Sequence, residues 1–355
     1  MIKKIEKLIR DFVAFVKLYF YTPVPHSKTL LVEFKNPQLY HRFFYLMLKF
    51  YKISGYNIYF PMSFSMFRNL RNKDLYLSLL VKERNFLSIR KKNLPKNRIL
   101  IDDQMFSPDY FHSYFEEQNQ EQNCFHIPMS FHPYMYHYNI WNHQVSFTKA
   151  RKNAIFCYGN FDKKAYLEIK KTTFKVTSRT EILSFFEKKE NFILLENKEK
   201  TLQSLTSNEF DKKYVFATRE NYSLAMEDVR EVLSHFNFYL CCPGVVMPLC
   251  HNVIEAMSVG TIPIIEREYA EVMYPNLQHK IHAIIFEDLQ HLDQILQTEI
   301  FTFSEQEISK MRNHILEYYN EYLTPTALIK HLNKSIQDKK LIYLQAEHRS
   351  VKIGI

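Results

Sequence analysis

The sequence contains very little glycine. Only five of its 355 residues are glycine, whereas the usual frequency of about 7% would give roughly 25 in a chain of this length. No two of them have the spacing of GxGxxG or GxxxxGK[ST], so the glycine-rich phosphate loops of dinucleotide-binding and P-loop proteins are excluded. A collagen-like or glycine-rich flexible chain is excluded as well.

Cysteine is also scarce, and no long apolar segment is present. The five cysteines form an odd set that includes the adjacent pair Cys241-Cys242 and no CxxC. This pattern does not suit a disulfide framework or a zinc ribbon, and it indicates a reducing compartment. No apolar run reaches the roughly 20 residues that span a bilayer, and Asp11 and Lys17 interrupt any signal-peptide core. We therefore expect a cytoplasmic protein.

The composition is that of a folded protein with a basic excess. Hydrophobic residues make up 46% of the chain, with 30 Phe and 24 Tyr, which is enough material for two cores. The length also suggests about two domains. The formal net charge of +9 suits an anionic partner such as nucleic acid, nucleotide phosphate or a membrane surface, and does not choose among them.

The first 21 residues, MIKKIEKLIRDFVAFVKLYFY, predict an amphipathic helix. Apolar residues recur at helical spacing with Lys and Arg among them. Such a helix can lie on an anionic membrane, here the inner face, or can dock on its own domain. Both readings are open at this stage.

Strand-like and helix-like runs alternate along the chain, which predicts an α/β fold. Strands are expected at 29–34, 56–60, 98–103, 153–160, 191–196, 213–218, 238–244, 261–266 and 282–287, and helices at 37–53, 226–236, 250–260, 304–321 and 324–337, with one from about 162. Residues 107–147 show no pattern and are expected to form long loops. A boundary near 148–152 predicts an amino-terminal domain over 1–149 and a carboxyl-terminal domain over 150–322.

Residues 238–266 carry the clearest chemical pattern. A short apolar strand leads into Pro243-Gly244, a helix follows, and Gly260 stands where a helix stops in the left-handed conformation. In a parallel sheet, ligands bind at the carboxyl ends of strands, and an anionic diphosphate there is stabilised by the following helix. His251 and Glu255 share one helix face. Either they bind phosphate and ribose hydroxyls, or Glu255 pairs locally and His251 is a solvated surface residue.

The stretch FYLCCPGVVMPLCHNVIEAMSVGTIPII resembles the donor-binding segment of GT-B glycosyltransferases and is most similar to the exostosin-type pattern. The matching positions are Pro243, Gly244, Glu255, Ala256, Gly260, Ile262, Pro263 and Ile264. The clear motif covers about 30 residues, and the compatible layout covers nearly the whole chain. Exostosin-type sequences usually place Arg where this chain has Asn252. Retaining enzymes of the glycogen-synthase-like group have a second Glu where this chain has Met247, so the resemblance favours an inverting enzyme.

The resemblance implies two Rossmann-like domains facing a cleft, with the nucleotide-sugar held by the carboxyl-terminal one. It also implies that helices within 323–355 cross back to complete the amino-terminal domain. No cofactor or metal is expected beyond the nucleotide-sugar co-substrate, and the sequence contains no DxD. The donor-binding residues are expected to be Glu255, His251, Asn252 and Gly244, joined by residues from neighbouring strand ends.

A departing nucleotide diphosphate needs positive charge and close backbone approach. Arg219 follows the strand 213–218, and Arg179 and the Arg151-Lys152 pair are further candidates. Gly159 ends the strand 153–160, where it permits either an approach to ligand or a tight turn.

An inverting enzyme also needs a general base for the acceptor hydroxyl, expected from the amino-terminal half. Asp103, at the end of the strand 98–103, and His132 are the catalytic candidates, with Asp102 beside the first. His126, His137 and His143 are alternatives, and their spacings match no common zinc pattern. The aromatic segment 125–141 suits either sugar stacking or core packing.

We therefore expect a glycosyltransferase that moves a sugar from a nucleotide-sugar donor to a glycan or lipid-linked glycan hydroxyl. Surface polysaccharide or lipopolysaccharide synthesis, with peripheral attachment to an anionic membrane through residues 1–21, fits the basic charge. The alternatives are a non-catalytic carbohydrate-binding relative, a GT-B epimerase or phosphorylase, and a basic nucleic-acid-binding protein. The last has no RRM, KH or zinc signature, so nucleic acid is not the expected partner.

Overall fold

A computed structural model describes residues 2–23, 28–90, 94, 96–115, 123–146, 150–200, 205, 209–221 and 223–351. These residues divide into two compact units. The first contains the described residues up to Ile127 and those from Thr324 onward, and the second contains the described residues from Pro128 to Leu323.

Thirteen strands lie in the described parts of the chain. They are β1 (Lys28–Glu33), β2 (Tyr56–Tyr59), β3 (Leu87–Ser88), β4 (Ile99–Asp102), β5 (Phe106–Ser107), β6 (Cys124–His126), β7 (Lys152–Gly159), β8 (Phe192–Leu195), β9 (Tyr214–Thr218), β10 (Phe236–Leu240), β11 (Ile262–Glu266), β12 (Ile284–Phe286) and β13 (Leu341–Tyr343).

The described α-helices are α1 (Ile2–Phe20), α2 (His41–Ile53), α3 (Phe64–Lys73), α4 (Leu77–Lys82), α5 (His112–Phe115), α6 (Pro133–His137), α7 (Lys163–Tyr166), α8 (Arg179–Phe186), α9 (Val229–Ser234), α10 (His251–Met257), α11 (Arg267–Glu271), α12 (Leu289–Thr298), α13 (Glu305–Tyr318), α14 (Pro325–Gln337) and α15 (His348–Val351). Short 3-10 helices span Pro37–Leu39, Asp103–Met105 and Glu168–Lys171, and a π-helical turn spans Tyr319–Leu323.

The first unit contains a four-stranded parallel sheet in the order β3-β2-β1-β4. The middle four residues of β1 are all buried, as expected for a strand of a parallel sheet covered on both faces. Helix α14 packs on α2, where Asn333 accepts a hydrogen bond from the Tyr51 hydroxyl (2.8 Å) and donates one to the Tyr56 hydroxyl (2.9 Å).

A second, smaller sheet of the first unit joins distant parts of the chain. Strand β13 lies between β5 and β6 and is parallel to both. Thus the described residues from Thr324 onward supply both a packed helix and a central strand to this unit.

The second unit is built on a six-stranded, all-parallel sheet in the order β12-β11-β10-β7-β9-β8. Every residue of β9, β10 and β11 is buried, which explains their near-continuous apolar sequences. Both units are thus Rossmann-like, and the prediction of an α/β fold with two such domains is confirmed.

Two expectations about the middle of the chain need correction. Residues 128–146, assigned above to the amino-terminal domain, group with the second unit. Arg230 Nη1 donates to the His143 carbonyl oxygen (2.7 Å), and Phe131 packs edge-on against Tyr319, so this segment is anchored there. Residues 107–147 also contain β6, α5 and α6 rather than loops alone.

Helix α1 extends over nearly the whole amphipathic segment predicted from the sequence. Within the described parts of the chain, no helix is both long enough and apolar enough to cross a bilayer.

Candidate functional site

Strands β7 and β10 are neighbours at the point where the strand order of the second unit reverses. From β7 the chain continues to β8 and β9 on one side, and then crosses to β10, β11 and β12 on the other. The loops that follow β7 and β10 therefore diverge, and they leave a crevice at the carboxyl ends of the strands. In open α/β sheets, ligands bind at this kind of switch point.

Arg179 connects the two loops. Ser178 caps α8 in a capping box with Glu181. The cap fixes the backbone position of Arg179, which is the first residue of this helix. Arg179 Nε donates to the carbonyl oxygen of Pro243 (2.6 Å), and Nη1 donates to that of Asn160 (3.3 Å). Because one carbonyl follows β10 and the other follows β7, the guanidinium spans the crevice.

A sulfur atom and an aromatic ring complete the surroundings of Arg179. Its Nη2 lies 3.2 Å from Cys250 Sγ, and its guanidinium carbon lies 4.4 Å from the centre of the Tyr166 ring. Burial lowers the pKa of Arg179, but the neighbouring Cys250 and Tyr166 raise it more, so the side chain stays charged. Arg179 is therefore a buried, fixed cation at the strand ends.

Two of the predicted glycines are explained by close packing in these loops. A Cβ at Gly159 would lie 2.7 Å from Arg179 Nη1, and a Cβ at Gly244 would lie 2.8 Å from the Met247 carbonyl oxygen. The Gly244 N–H donates to the Pro248 carbonyl oxygen (3.1 Å), which closes the loop after β10. Gly159 thus makes room for the guanidinium, and Gly244 permits a compact turn.

The start of α10 is fixed by Tyr269 and Asn252. The Cys250 N–H donates to the Tyr269 hydroxyl oxygen (2.8 Å), which also lies 3.2 Å from Asn252 Oδ1. Asn252 Nδ2 donates to the Cys242 carbonyl oxygen (2.9 Å). Asn252, predicted to bind donor, is buried and holds the loop after β10 against the helix.

His251 and Glu255 form an acid–base pair on the face of α10. His251 Nε2 lies 3.9 Å from Glu255 Oε1, and 38% of the His251 side chain is exposed. Glu255 is 7% exposed, and burial raises the pKa of its carboxyl from 4.5 to about 7 although the charge of His251 opposes this. Burial lowers the pKa of His251, whereas Cys250 and Glu255 raise it more. His251 therefore holds its proton more strongly than a free histidine, and Glu255 ionises less readily than a free glutamate.

His132 lies beside this pair. Its ring centre is 6.0 Å from that of His251, and its Nδ1 accepts the Tyr134 N–H (3.3 Å) as the cap of α6. The sequence predicts that His132 belongs to the amino-terminal domain, but His132 lies in the second unit together with His251 and Glu255.

Asp103 belongs to the first unit, and its role as a base stays a prediction. Its Oδ2 accepts the Lys35 N–H (2.6 Å). The adjacent Asp102 accepts the Gln104 and Met105 N–H groups and so caps a 3-10 helix. Both carboxylates are engaged by backbone donors within their own unit.

The remaining predicted cations lie at opposite ends of the sheet. Arg219 directly follows β9, its N–H donates to the Gly159 carbonyl oxygen (2.8 Å), and its side chain is exposed. Arg151 lies instead at the amino ends of the strands, where it donates to the Thr261 hydroxyl (3.0 Å) and the Val259 carbonyl. Arg151 therefore has a structural role at the end of the sheet opposite to the crevice.

Sequence reasoning missed two members of this cluster. Arg230 is buried, donates to the Ser258 hydroxyl (3.0 Å), and opposes the raised pKa of Glu255. Cys250 is buried with its sulfur 3.8 Å from His251 Nδ1. Burial raises the pKa of the Cys250 thiol, and His251 and Arg179 lower it more. Arg230 lies among other charged residues in the sequence, beside Glu231 and close to Asp228, so nothing in the pattern distinguished it.

Comparisons with known proteins give distant structural matches. No family model matches the chain, and no curated protein matches its sequence. HepE of Anabaena, solved with UDP and glucose, matches at 8% identity and a TM-score of 0.38, with 88% of this chain and 100% of that chain covered. A Rickettsia africae glycosyltransferase matches at 11% identity and a TM-score of 0.38, with 88% and 98% covered.

The catalytic domain of starch synthase IV from Arabidopsis thaliana, solved with ADP and acarbose, matches at 11% identity and a TM-score of 0.33. The match covers 57% of this chain, and this chain spans 42% of the length of that one.

The geometry brings together a buried carboxyl, two imidazoles and the buried guanidinium of Arg179 near the start of α10. Such a cluster can bind an anionic group at its cationic side and accept hydroxyl hydrogen bonds at Glu255. Among the described residues, no group of three or more His, Cys, Asp or Glu side chains is arranged to hold a metal ion. That no metal takes part stays a prediction.

Proposed function

We propose that this protein is a GT-B glycosyltransferase that transfers a sugar from a nucleotide-sugar donor to a hydroxyl of a glycan or glycolipid. The support comes from the second unit. The segment that resembles GT-B donor sites folds into β10, a Pro-Gly loop, α10 and β11 at the switch point of a parallel sheet.

The observation that carries the proposal is Glu255. Its carboxylate is buried, and its nearest partner within the described residues is His251 at 3.9 Å. Burial of an ionised carboxylate without hydrogen-bond donors is costly. The two vicinal hydroxyls of a ribose supply two donors to such a group, which offsets this cost when the nucleotide binds.

We propose that two cations near the start of α10 stabilise the diphosphate. His251 is partly exposed at the start of α10, and Arg179 is held rigidly at the neighbouring strand ends. Arg219, exposed beside Gly159, adds a third positive charge. Fixed positive charge at this position stabilises the leaving diphosphate as the sugar bond breaks.

For the acceptor hydroxyl we propose an inverting mechanism with His132 or Asp103 as the general base. His132 is favoured by its position beside His251. The acceptor we propose is a lipid-linked glycan of surface polysaccharide or lipopolysaccharide synthesis. The protein would work in the cytoplasm at the inner face of the membrane, with a nucleotide-sugar as its only co-substrate and no bound metal.

The direct test is a screen of sugar nucleotides for thermal stabilisation and for donor hydrolysis. A donor present at 100 times its dissociation constant stabilises the fold by about 2.7 kcal/mol, which a melting curve detects. Glu255→Gln should remove this stabilisation, whereas Glu271→Gln, an exposed carboxylate on α11, should leave it unchanged.

Two results would contradict the proposal. If no sugar nucleotide stabilises the protein while single-stranded RNA binds with a steep salt dependence, the chain is a nucleic-acid-binding protein. If a nucleotide binds but no donor is hydrolysed or transferred, the chain is a non-catalytic carbohydrate-binding relative.

A further inference from the structure

Helix α1 presents its apolar residues outward. Among the described residues, the exposed large hydrophobic side chains include eight of this helix, namely Ile2, Ile5, Leu8, Ile9, Phe12, Val13, Tyr19 and Phe20. The fully buried residue of α1 is a charged one, Asp11, which is 3% exposed. This is the reverse of an ordinary amphipathic helix docked on its own domain.

A charged cluster holds α1 in this orientation. Asp11 Oδ1 lies 3.1 Å from Arg71 Nε, and its Oδ2 lies 3.5 Å from Arg68 Nε and accepts from Asn72 Nδ2 at 3.0 Å. All three partners are on α3. Phe15 adds edge-on contacts with two aromatic rings of the same helix.

The docked side and the apolar side of α1 are far apart on the helix circumference. At 3.6 residues per turn, the eight exposed apolar residues fall within an arc of about 140°. The direction of Asp11 is about 130° from the centre of that arc. The contacts of Asp11 with α3 therefore turn most of the apolar arc toward solvent, and Phe12 within the arc also packs edge-on against Phe64 of α3 (ring centres 5.7 Å apart).

The charged residues of α1 indicate which partner its exposed apolar side binds. The helix carries five exposed cations, Lys3, Lys4, Lys7, Arg10 and Lys17, against a single exposed acid, Glu6. The second acid, Asp11, is neutralised by Arg68 and Arg71. An exposed apolar arc on a helix whose other exposed positions are mostly cations is complementary to a bilayer with anionic headgroups.

We infer that the Asp11 cluster fixes α1 as a membrane-facing element, with its apolar arc inserted at the surface of an anionic bilayer while its opposite side stays docked on α3. The inference rests on the peripheral-membrane part of the proposed function and does not depend on the transferase reaction. It assigns an orientation to the helix and a positioning role to Asp11.

Vesicle flotation of the full chain tests the apolar arc. The wild-type protein should float with vesicles rich in phosphatidylglycerol and stay in the dense fraction with pure phosphatidylcholine. Ile9→Glu should lower the anionic-vesicle affinity by at least about tenfold, since burial of one Ile side chain contributes about 1.5–3 kcal/mol. Leu75→Glu is the matched control, because Leu75 is 60% exposed and Ile9 is 56% exposed, and it should float like the wild type.

Limited trypsin digestion tests the docking contact. Asp11→Asn removes the charge that pairs with Arg68 and Arg71, so cleavage after Arg10 and Lys17 should become faster than in the wild type, while Glu6→Gln should not change it. Flotation of Ile9→Glu equal to that of the wild type, or no flotation of the wild type on anionic vesicles, would overturn the inference. Unchanged trypsin cleavage of Asp11→Asn would overturn the role of Asp11.

The same samples separate this inference from the proposed function. Donor-dependent thermal stabilisation of Ile9→Glu should equal that of the wild type, because the substitution lies in the first unit. A protein that binds donor and does not float refutes the membrane assignment alone. A protein that floats and binds no sugar nucleotide refutes the transferase alone.

Discussion

Replacement of Gly159 by alanine would place a methyl group against the Arg179 guanidinium. The added Cβ would lie 2.7 Å from Nη1, whereas ordinary contacts begin near 3.4 Å. The guanidinium must therefore move by about 0.7 Å. The φ angle of Gly159 is not in the left-handed region, so the new side chain adds no backbone strain and the effect isolates this contact.

The movement has a calculable cost. The bond from Nη1 to Asn160 is already long at 3.3 Å, and those from Nε to Pro243 and from Nη2 to Cys250 are short. A shift away from Gly159 breaks the first bond and weakens another. Loss of one hydrogen bond to a charged group costs about 1.5–3 kcal/mol, which lowers the melting temperature by about 3–12 °C for a unit of this size.

A double-mutant cycle makes the test specific. In an Arg179→Ala background, Gly159→Ala has no guanidinium to displace, so it should change the free energy of unfolding by less than about 1 kcal/mol, in the stabilising direction. Thermal or urea unfolding of the four proteins measures both values. Equal destabilisation in both backgrounds would refute the reasoning, because Gly159 would then be required for a reason other than room for Arg179.

Three further predictions concern the same unit. The pKa of Glu255 is about 7 in the folded state, against its ordinary value of 4.5, so between these values the folded protein keeps a proton that the unfolded chain releases. The free energy of unfolding contributed by Glu255 therefore falls as pH rises from 4.5 to about 7. Urea unfolding of Glu255→Gln should show a flatter pH dependence in this range. Tyr269→Phe leaves the Cys250 N–H without its acceptor, so it should lower the free energy of unfolding by about 1–3 kcal/mol. It should also weaken nucleotide binding measured by calorimetry. Unchanged stability and unchanged binding would contradict the role of Tyr269. Arg151→Met should lower the melting temperature yet preserve the stabilisation by nucleotide, and loss of that stabilisation would place Arg151 in the site.

The regular elements of the second unit could be predicted because they are simple apolar runs. The sequence NAIFCYGN became β7 and TIPIIE became β11, since strands buried on both faces need uninterrupted apolar residues. The helix stop at Gly260 is confirmed by its φ of +66°. These features depend on local sequence alone.

The short strands could not be predicted in this way. Strands β5 and β6 have two and three residues, too few to show a period, and they exist because β13 pairs with both from more than 200 positions away. Local pattern carries no information about such a partner. The same holds for residues 128–146, which are attached to the second unit by tertiary contacts with Arg230, Tyr319 and His251.

The candidate site was predictable in its residue types and not in its contacts. His251, Glu255 and Arg179 were identified from the motif and from charge. Arg179 is held by carbonyl oxygens of Pro243 and Asn160, and any residue offers a carbonyl, so the sequence contains no sign of this bridge. The neighbourhood of His132 and His251 likewise arises from tertiary packing.

The position of β13 has a consequence for biosynthesis. A ribosome makes β5 and β6 early, but the strand that lies between them, and the helix α14 that packs on α2, are made only after the whole second unit. The second unit can therefore fold as it emerges, whereas the first must wait with two unpaired strand edges until the residues from 324 to 343 have been made. A premature stop codon just before position 324 would spare the crevice and still leave the earlier-made unit unfinished.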